Sequence, residues 1–446
     1  MNTNEIFING QMLPESMNIL SLLNVSNISN LEADSGYVFQ KLLMKEILSQ
    51  RPDWNFFFIS PRGTETIDER IHNIEIDYGH NKFEARFNFP WLELKEKIEK
   101  IIPKVNLIYI NQAELATNFK ALATTLCPER KIPMISYYHY LPLEPSHLHF
   151  GKEEKTLDYD MTVDPKEKRF PSSIRFDQTL NNHDLALPIF LREIEAIQIS
   201  DYNITCSNFG IDLLFSNAQK IMPSVSGKII AIPPPVSFDE IEKSLKDFKR
   251  SDSQKKAILF NHRLYSHYGP EEFFEVIKKM YESVRQDFEI IITHPTHGRS
   301  VERSRLDPNV QRIENVITKM PFVKLKHSRT REEYYKTVAN SYIAIGPMKP
   351  SALWSMSTVD ALACGIPTLC PAYASFPEIL GNNSDLLFRN SGELIEKIGI
   401  LIDNPSTYDE KSKYCKKRSE IFEVKNTAKK FIEIFEKVTG KLQHDS

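Results

Sequence analysis

Hydrophobic residues in this chain come in two recurring patterns, short apolar runs and longer stretches with helical spacing. MNILSLLN (17–24) is an apolar run, and a polar loop, NVSNISNLEADSG, follows it. YVFQKLLMKEILSQ then places apolar residues at helical spacing, and NFFFIS (55–60) is the next run. This strand–loop–helix–strand order predicts the opening of a Rossmann-like domain. Further strands are predicted at NLIYIN (106–111), IPMISYYHY (132–140), YNITCS (202–207) and KIIAIP (228–233). The region 141–195 breaks the rhythm with charge, His and Pro, and is read as a long excursion of functional interest. IPPPVS (232–237) reads as a stiff linker at a domain boundary.

The alternation resumes with KAILFNHRL (256–264) and a helix whose first turn holds Pro270. FEIIITHP (288–295) is a strand, EEYYKTVANS (332–341) a helix and YIAIGP (342–347) a strand. An amphipathic helix over 426–442 closes the chain. The expected fold class is α/β, with two Rossmann-like parallel-sheet domains. Their expected extents are 1–235 for the first domain, 236–425 for the second and 426–446 for the last helix.

Composition narrows the possibilities. The 446 residues suffice for two domains, with 41% hydrophobic and 26% charged content as in soluble globular proteins. No apolar run is long enough to span a membrane, and the N-terminus lacks the basic-then-apolar order of a signal peptide. A soluble, cytoplasmic protein is expected, in the host cytoplasm if a phage encodes it. The net charge of −3 argues mildly against broad non-specific phosphate contact. The five cysteines are widely spaced, and Cys206, Cys364 and Cys370 in apolar segments are expected as buried thiols.

The densest chemistry lies between Ser351 and Leu380, SALWSMSTVDALACGIPTLCPAYASFPEIL. Small residues lead into an apolar helix, Gly365 ends it, and a buried strand follows. Backbone N–H groups of Ser355, Met356, Ser357 and Thr358 at the helix start suit a phosphate. Asp360, on the helix, is placed to accept hydrogen bonds from a ribose. Together they predict a nucleotide-diphosphate site at the carboxyl end of a parallel sheet.

This stretch resembles the signature of GT-B glycosyltransferases, especially the retaining family related to glycogen and sucrose synthases. That signature reads E-G-F-G-x-x-x-x-E-A-x-A-x-G-x-P-V followed by P-E-I. Asp360 stands at the second Glu, and Pro377, Glu378 and Ile379 match P-E-I. Ala352 replaces the first Glu, and Leu353-Trp354-Ser355 replaces G-F-G. The family's first Glu contacts the donor sugar, so Lys349 or Ser351 is a candidate for that contact here. NHRLYSHYGPEEFF (261–274) resembles the family element G-R-L-x-x-x-K-G and a similar segment of transfer-RNA queuosine glycosyltransferases. Arg263 matches the Arg that grips the diphosphate, Tyr268 occupies the Lys position, and His267 is a candidate for the missing charge.

The resemblance implies a metal-independent hexosyl or pentosyl transferase that uses a UDP-sugar or GDP-sugar, with domain two holding the donor and domain one the acceptor. The last helix is expected to return to the first domain. Ser35-Gly36 is the nearest match to the family's Gly pair, which nominates Gly36. His139 is a candidate near the donor sugar; the alternative is an ordinary histidine among aromatics. For an inverting reaction Asp177, His183 and Asp184 are candidate bases, with Asp184 carried forward. His294, His297 and Arg299 are read as loop residues bordering the cleft, and KLKHSRTRE (324–332) as a charged loop near the base. The acceptor stays open between a glycan or small molecule and a modified DNA or RNA base, as in phage DNA glycosyltransferases. A non-catalytic sugar-nucleotide-binding or scaffold protein is the reading from another class.

Overall fold

The computed structural model describes residues 7–8, 11–12, 16–22, 34–77, 89–143, 183–250, 255–265, 268–293, 309–326, 328, 330–349 and 353–440. Its contacts divide the chain into two compact units. The first comprises Met1–Tyr138, Glu195–Ile204 and Ala428–Ser446, and the second His139–Ile194 and Thr205–Thr427.

In the first unit a small antiparallel pair, β1 (Phe7–Ile8) and β2 (Gln11–Met12), precedes the main sheet. Through Thr205 that sheet runs over β3 (Asn18–Leu22), β4 (Asn55–Pro61), β5 (Ile71–Ile76), β6 (Leu107–Ile110), β7 (Met134–Tyr138) and β8 (Tyr202–Thr205), in the order β5-β4-β3-β6-β7-β8. Its registered pairs, from β5 through β7, are parallel. LIYI and MISYY are buried along their whole length, as strands covered on both faces must be. The strand β5, IHNIEI, was not foreseen. It sits at the edge with only Ile71, Ile74 and Ile76 buried, so its apolar signal is weaker than that of its neighbours.

Helices α1 (Ser35–Gln50), α2 (Trp91–Ile98), α3 (Ala116–Leu126) and α4 (His183–Ile199) follow in chain order. Asp34 caps α1 by accepting from the amides of Gly36 and Tyr37 at 2.9 and 3.1 Å.

The second unit contains α5 (Asn208–Ile221), β9 (Ile229–Ala231), α6 (Phe238–Leu245), β10 (Lys256–Phe260), α7 (Pro270–Ser283), β11 (Phe288–Thr293), α8 (Asn309–Ile317), β12 (Val323–Lys326), α9 (Arg331–Ala339), β13 (Ile343–Ile345), α10 (Met356–Ala363), β14 (Thr368–Pro371), α11 (Phe376–Ile379), β15 (Leu387–Phe388), α12 (Ser391–Asp403) and α13 (Pro405–Ser419). The last helix, α14 (Val424–Val438), follows. Among the described residues the main sheet here is six-stranded, in the order β12-β11-β10-β13-β14-β15, and its pairs are all parallel.

Several elements differ from expectation. Residues 323–326, expected in part as a charged loop, form β12, an edge strand whose lysines face outward. The Pro-rich segment 232–237 lies inside the second unit, and Val236 exchanges backbone hydrogen bonds with Phe422 and Val424 at 2.8 and 2.9 Å. Most of the excursion 141–195, with Asp177, lies outside the described residues. All five cysteines are free thiols; Cys206 and Cys370 are buried, but Cys364 at the end of α10 is only half-buried.

Candidate functional site

In the second sheet the chain proceeds from β10 outward to β12, then returns to the other side of β10 with β13. The strand order therefore reverses between β10 and β13, and ligands of open α/β sheets bind outside the carboxyl ends at such a point. The residues after β10 are Asn261, His262 and Arg263; those after β13 are Gly346 through Lys349, and α10 follows.

Ser355 caps α10. Its Oγ accepts from the Thr358 amide at 3.2 Å and lies 2.7 Å from Thr358 Oγ1. Of the four amides expected to face a phosphate, that of Thr358 is therefore held by the cap. At the other end Gly365, with φ of 72°, donates to Leu362 O at 2.8 Å, and Ile366 donates to Ala361 O at 3.0 Å. This αL termination aims the chain directly into β14.

The strand end is tied to the helix start by side chains that motif reading missed. Asn261 Nδ2 donates to Ser357 O at 2.7 Å and to the Tyr334 hydroxyl at 3.1 Å. His262 Nδ1 lies 2.8 Å from Ser357 Oγ, and its Nε2 lies 3.1 Å from Ile345 O. The carbonyl requires Nε2 to carry the proton, so Nδ1 accepts from the serine. Complete burial pushes the His262 pKa down to about 3, which keeps the ring neutral. The signal available in the sequence was the pair of polar residues directly after an apolar strand.

Asp360 is buried on α10. Arg331 Nη1 lies 3.6 Å from its Oδ2, and the Tyr335 hydroxyl lies 3.5 Å from its Oδ1. Burial raises the Asp360 pKa, and the Arg331 guanidinium works against that shift. Burial opposes the Arg331 charge, but the Asp360 carboxylate and the neighbouring tyrosines raise its pKa overall. The guanidinium lies 4.6 Å from the Tyr335 ring centroid and 5.3 Å from that of Tyr334. Arg331 was in the segment read as a base-binding loop; it opens α9 and holds the helical carboxylate.

Arg263 is half-buried just after β10. Lys349 reaches Glu272 on α7 at 2.8 Å. Glu378 of the P-E-I match accepts from the amides of Asn208 and Phe209 at 2.9 and 2.7 Å, so its charge sits at the N-terminus of α5. The remaining candidates do not join this group in the described contacts. Gly36 is in the first unit, buried in the first turn of α1. His139 is half-buried just after β7. Asp184 lies on α4, and its side chain is outside what the structure describes. His267, Ser351, Ala352, His294, His297 and Arg299 lie outside the described residues. Among the described residues no group of three or more His, Cys, Asp or Glu could hold a metal, and no helix is long and apolar enough to cross a membrane.

Residues 242–420 match the family model of glycosyl transferases group 1. This segment is similar to the group 1 glycosyltransferase domain. It spans the site just described, from before β10 to the end of α13, and it bears out the reading of the chain as a glycosyltransferase enzyme. No curated protein matches the sequence. Solved structures resemble the whole chain in fold. Sucrose-phosphate synthase from Thermosynechococcus elongatus has a TM-score of 0.65 at 13% identity, covering 95% of this chain and 99% of that one. An α,α-trehalose-phosphate synthase (UDP-forming) from Burkholderia vietnamiensis has 0.66 at 10% identity, covering 95% and 99%. Anabaena HepE in complex with UDP and glucose has 0.59 at 13% identity, covering 94% and 99%. The GT-B architecture, two parallel-sheet Rossmann-like units, is thus borne out.

Proposed function

We propose that this glycosyltransferase binds a uridine diphosphate sugar at the β10–β13 strand ends and transfers the sugar to an acceptor hydroxyl without a metal ion. The observation that carries the proposal is the lock between His262 and Ser357, which fixes the start of α10 against the end of β10. It holds Arg263 and the helix N-terminus at one switch point. Arg263 supplies a bidentate charge to the diphosphate, and the amides of Met356 and Ser357 supply hydrogen bonds where negative charge develops on the leaving group. Asp360 is assigned to the ribose. A carboxylate has room for about four donors, so Arg331, Tyr334 and Tyr335 leave capacity for one sugar hydroxyl. HepE, a structural neighbour, binds UDP and glucose, which supports uridine as the base. His139 and Asp184 are kept as candidates for contact with the reacting sugar and acceptor, and the cytoplasm as the place of action.

Calorimetry with UDP, with and without excess chelator, tests the donor site. The expected result is binding that survives chelation, weakens at least tenfold in Arg263→Lys, and weakens by about 1–3 kcal/mol in Asp360→Ala. UDP binding that requires added magnesium or manganese would overturn metal independence. Unchanged affinity in both variants would remove these residues from the site.

A further inference from the structure

Three residues at the start of α9 converge on one carboxylate. Arg331, Tyr334 and Tyr335 stand at positions i, i+3 and i+4, which share a helix face. Arg331 Nη1 lies 3.6 Å from Asp360 Oδ2 on α10, and the Tyr335 hydroxyl lies 3.5 Å from Oδ1. Tyr334 also bonds to this carboxylate, and its hydroxyl accepts from Asn261 Nδ2 at 3.1 Å. Arg331 Nη2 in turn donates to the Tyr335 hydroxyl. The network thus runs from the end of β10 through α9 to the middle of α10.

Arg331 is poorly placed for helix stability alone. It occupies the first helical position after the Thr330 cap, where the helix dipole disfavours a cation; Glu332 and Glu333 beside it have the favoured charge. Its side chain is only 24% exposed, and its Nε is buried with no hydrogen-bond partner. Apolar side chains of similar volume are often as stabilising as a buried ion pair. Fold stability therefore does not account for Arg331, whereas the charge it confers on Asp360 does.

Burial drives the Asp360 carboxyl toward its neutral form. Among the groups that oppose burial Arg331 is the largest, ahead of the two tyrosine hydroxyls. The other titratable groups nearby do not replace it. Glu240 on α6 acts on Arg331 and Tyr335, and carries the same sign of charge as Asp360. Cys364, at the end of α10, is a thiol that burial keeps protonated, and Lys416 on α13 acts on that thiol. A sugar hydroxyl that donates to a carboxylate makes a charge-assisted bond, roughly twice as strong as one to a neutral group.

We propose that Arg331 is a positioning residue of the donor site, which keeps the Asp360 carboxylate charged and fixed for the ribose and acts through Asp360 rather than on the ligand. The word ribose rests on the donor reading above; the dependence of Asp360 on Arg331 does not.

UDP affinity and urea stability are measured from about pH 5.5 to 9 for the wild type, Arg331→Met, Arg331→Lys and Asp360→Asn, and for Asp360→Asn combined with Arg331→Met. Expressing each affinity relative to the wild type at the same pH cancels the titration of UDP itself. Arg331→Met is expected to bind UDP at least tenfold more weakly than the wild type at the acid end. That gap should close as pH rises, because Asp360 then ionises without help. Stability should move the other way. A carboxyl whose folded pKa is raised loses stability as pH rises toward that pKa, so the stability gap to the wild type should widen. Arg331→Lys keeps the charge and should restore the wild-type pH profile. In the Asp360→Asn background, Arg331→Met should change UDP affinity less than twofold. A loss of affinity that is constant with pH, one that persists in the Asp360→Asn background, or no loss at any pH would overturn the proposal. If the wild type binds no UDP, the donor reading fails. The stability series then decides on its own whether Asp360 depends on Arg331, and parallel pH profiles of wild type and Arg331→Met would refute that dependence.

Discussion

His262 shows how a single side chain organises the donor strand end. Its Nε2 faces Ile345 O on β13, and its Nδ1 faces Ser357 on α10. The neutral ring with its proton on Nε2 satisfies both, Nδ1 accepting from the serine hydroxyl, and complete burial is what disfavours the charged ring. The folded pKa, about 3, lies below the ordinary value of 6.5. The stabilisation from keeping this ring neutral is therefore complete above about pH 6.5 and is lost as pH falls toward 3. Between pH 6 and 4 the wild type should lose about 1.4 kcal/mol of stability per pH unit through this residue. Gln can donate and accept in a similar way, so His262→Gln should flatten that slope. Urea unfolding at a series of pH values gives the measurement, and parallel slopes in the two proteins would refute the assignment. Motif comparison pointed to Arg263 one residue later. His262 and Asn261 lay in the same quoted segment but had no role assigned to them, because their importance lies in what packs opposite them.

At the scale of elements, the approach of the β13 loop to the start of α7 depends on Gly269. This residue has φ of 67°, and a Cβ there would stand 2.7 Å from Met348 Cβ and 3.0 Å from Lys349 N. Met348 N donates to Tyr268 O at 2.8 Å, which pins the two segments together. Gly269→Ala adds left-handed strain and a contact that only backbone movement relieves. It should cost about 2–4 kcal/mol, measured by denaturant unfolding. A loss below 1 kcal/mol would mean that the loop moves freely. Pro270 had already marked the start of this helix in the sequence, because its fixed φ suits the first helical position. The contact that makes its neighbour a glycine came from a strand some eighty residues away, and no local pattern carries it.

At the scale of the whole molecule, the end of α14 belongs to the first unit. Phe431 lies 5.6 Å, centroid to centroid, from Tyr109 and 6.2 Å from Phe39, and Phe435 lies 6.3 Å from Trp54. Arg51 also pairs with Glu436 at 2.7 Å. Both phenylalanines are fully buried, so each contributes about 2–3 kcal/mol of apolar burial. Their sum is comparable to the net stability of a small domain. Ending the chain at Thr427 should abolish the thermal transition of the first unit in scanning calorimetry and preserve that of the second. Persistence of both transitions would show that the first unit does not depend on its C-terminal helix.

The sequence by itself determined the alternation of strands and helices, the parallel sheets and the glycosyltransferase signature. Each of these is a local regularity: a buried apolar run, a helical spacing, a Gly or Pro at a chain reversal. Edge strands escaped it because exposed positions weaken the apolar signal, as in β5 and β12. Tertiary structure decided what long-range pairing alone can decide. It set Arg331 against Asp360, Glu378 against the start of α5, and His262 between two elements far apart in the chain. A hydrogen bond, or the lack of one, depends on which atoms face each other after folding, and spacing along the chain does not encode that.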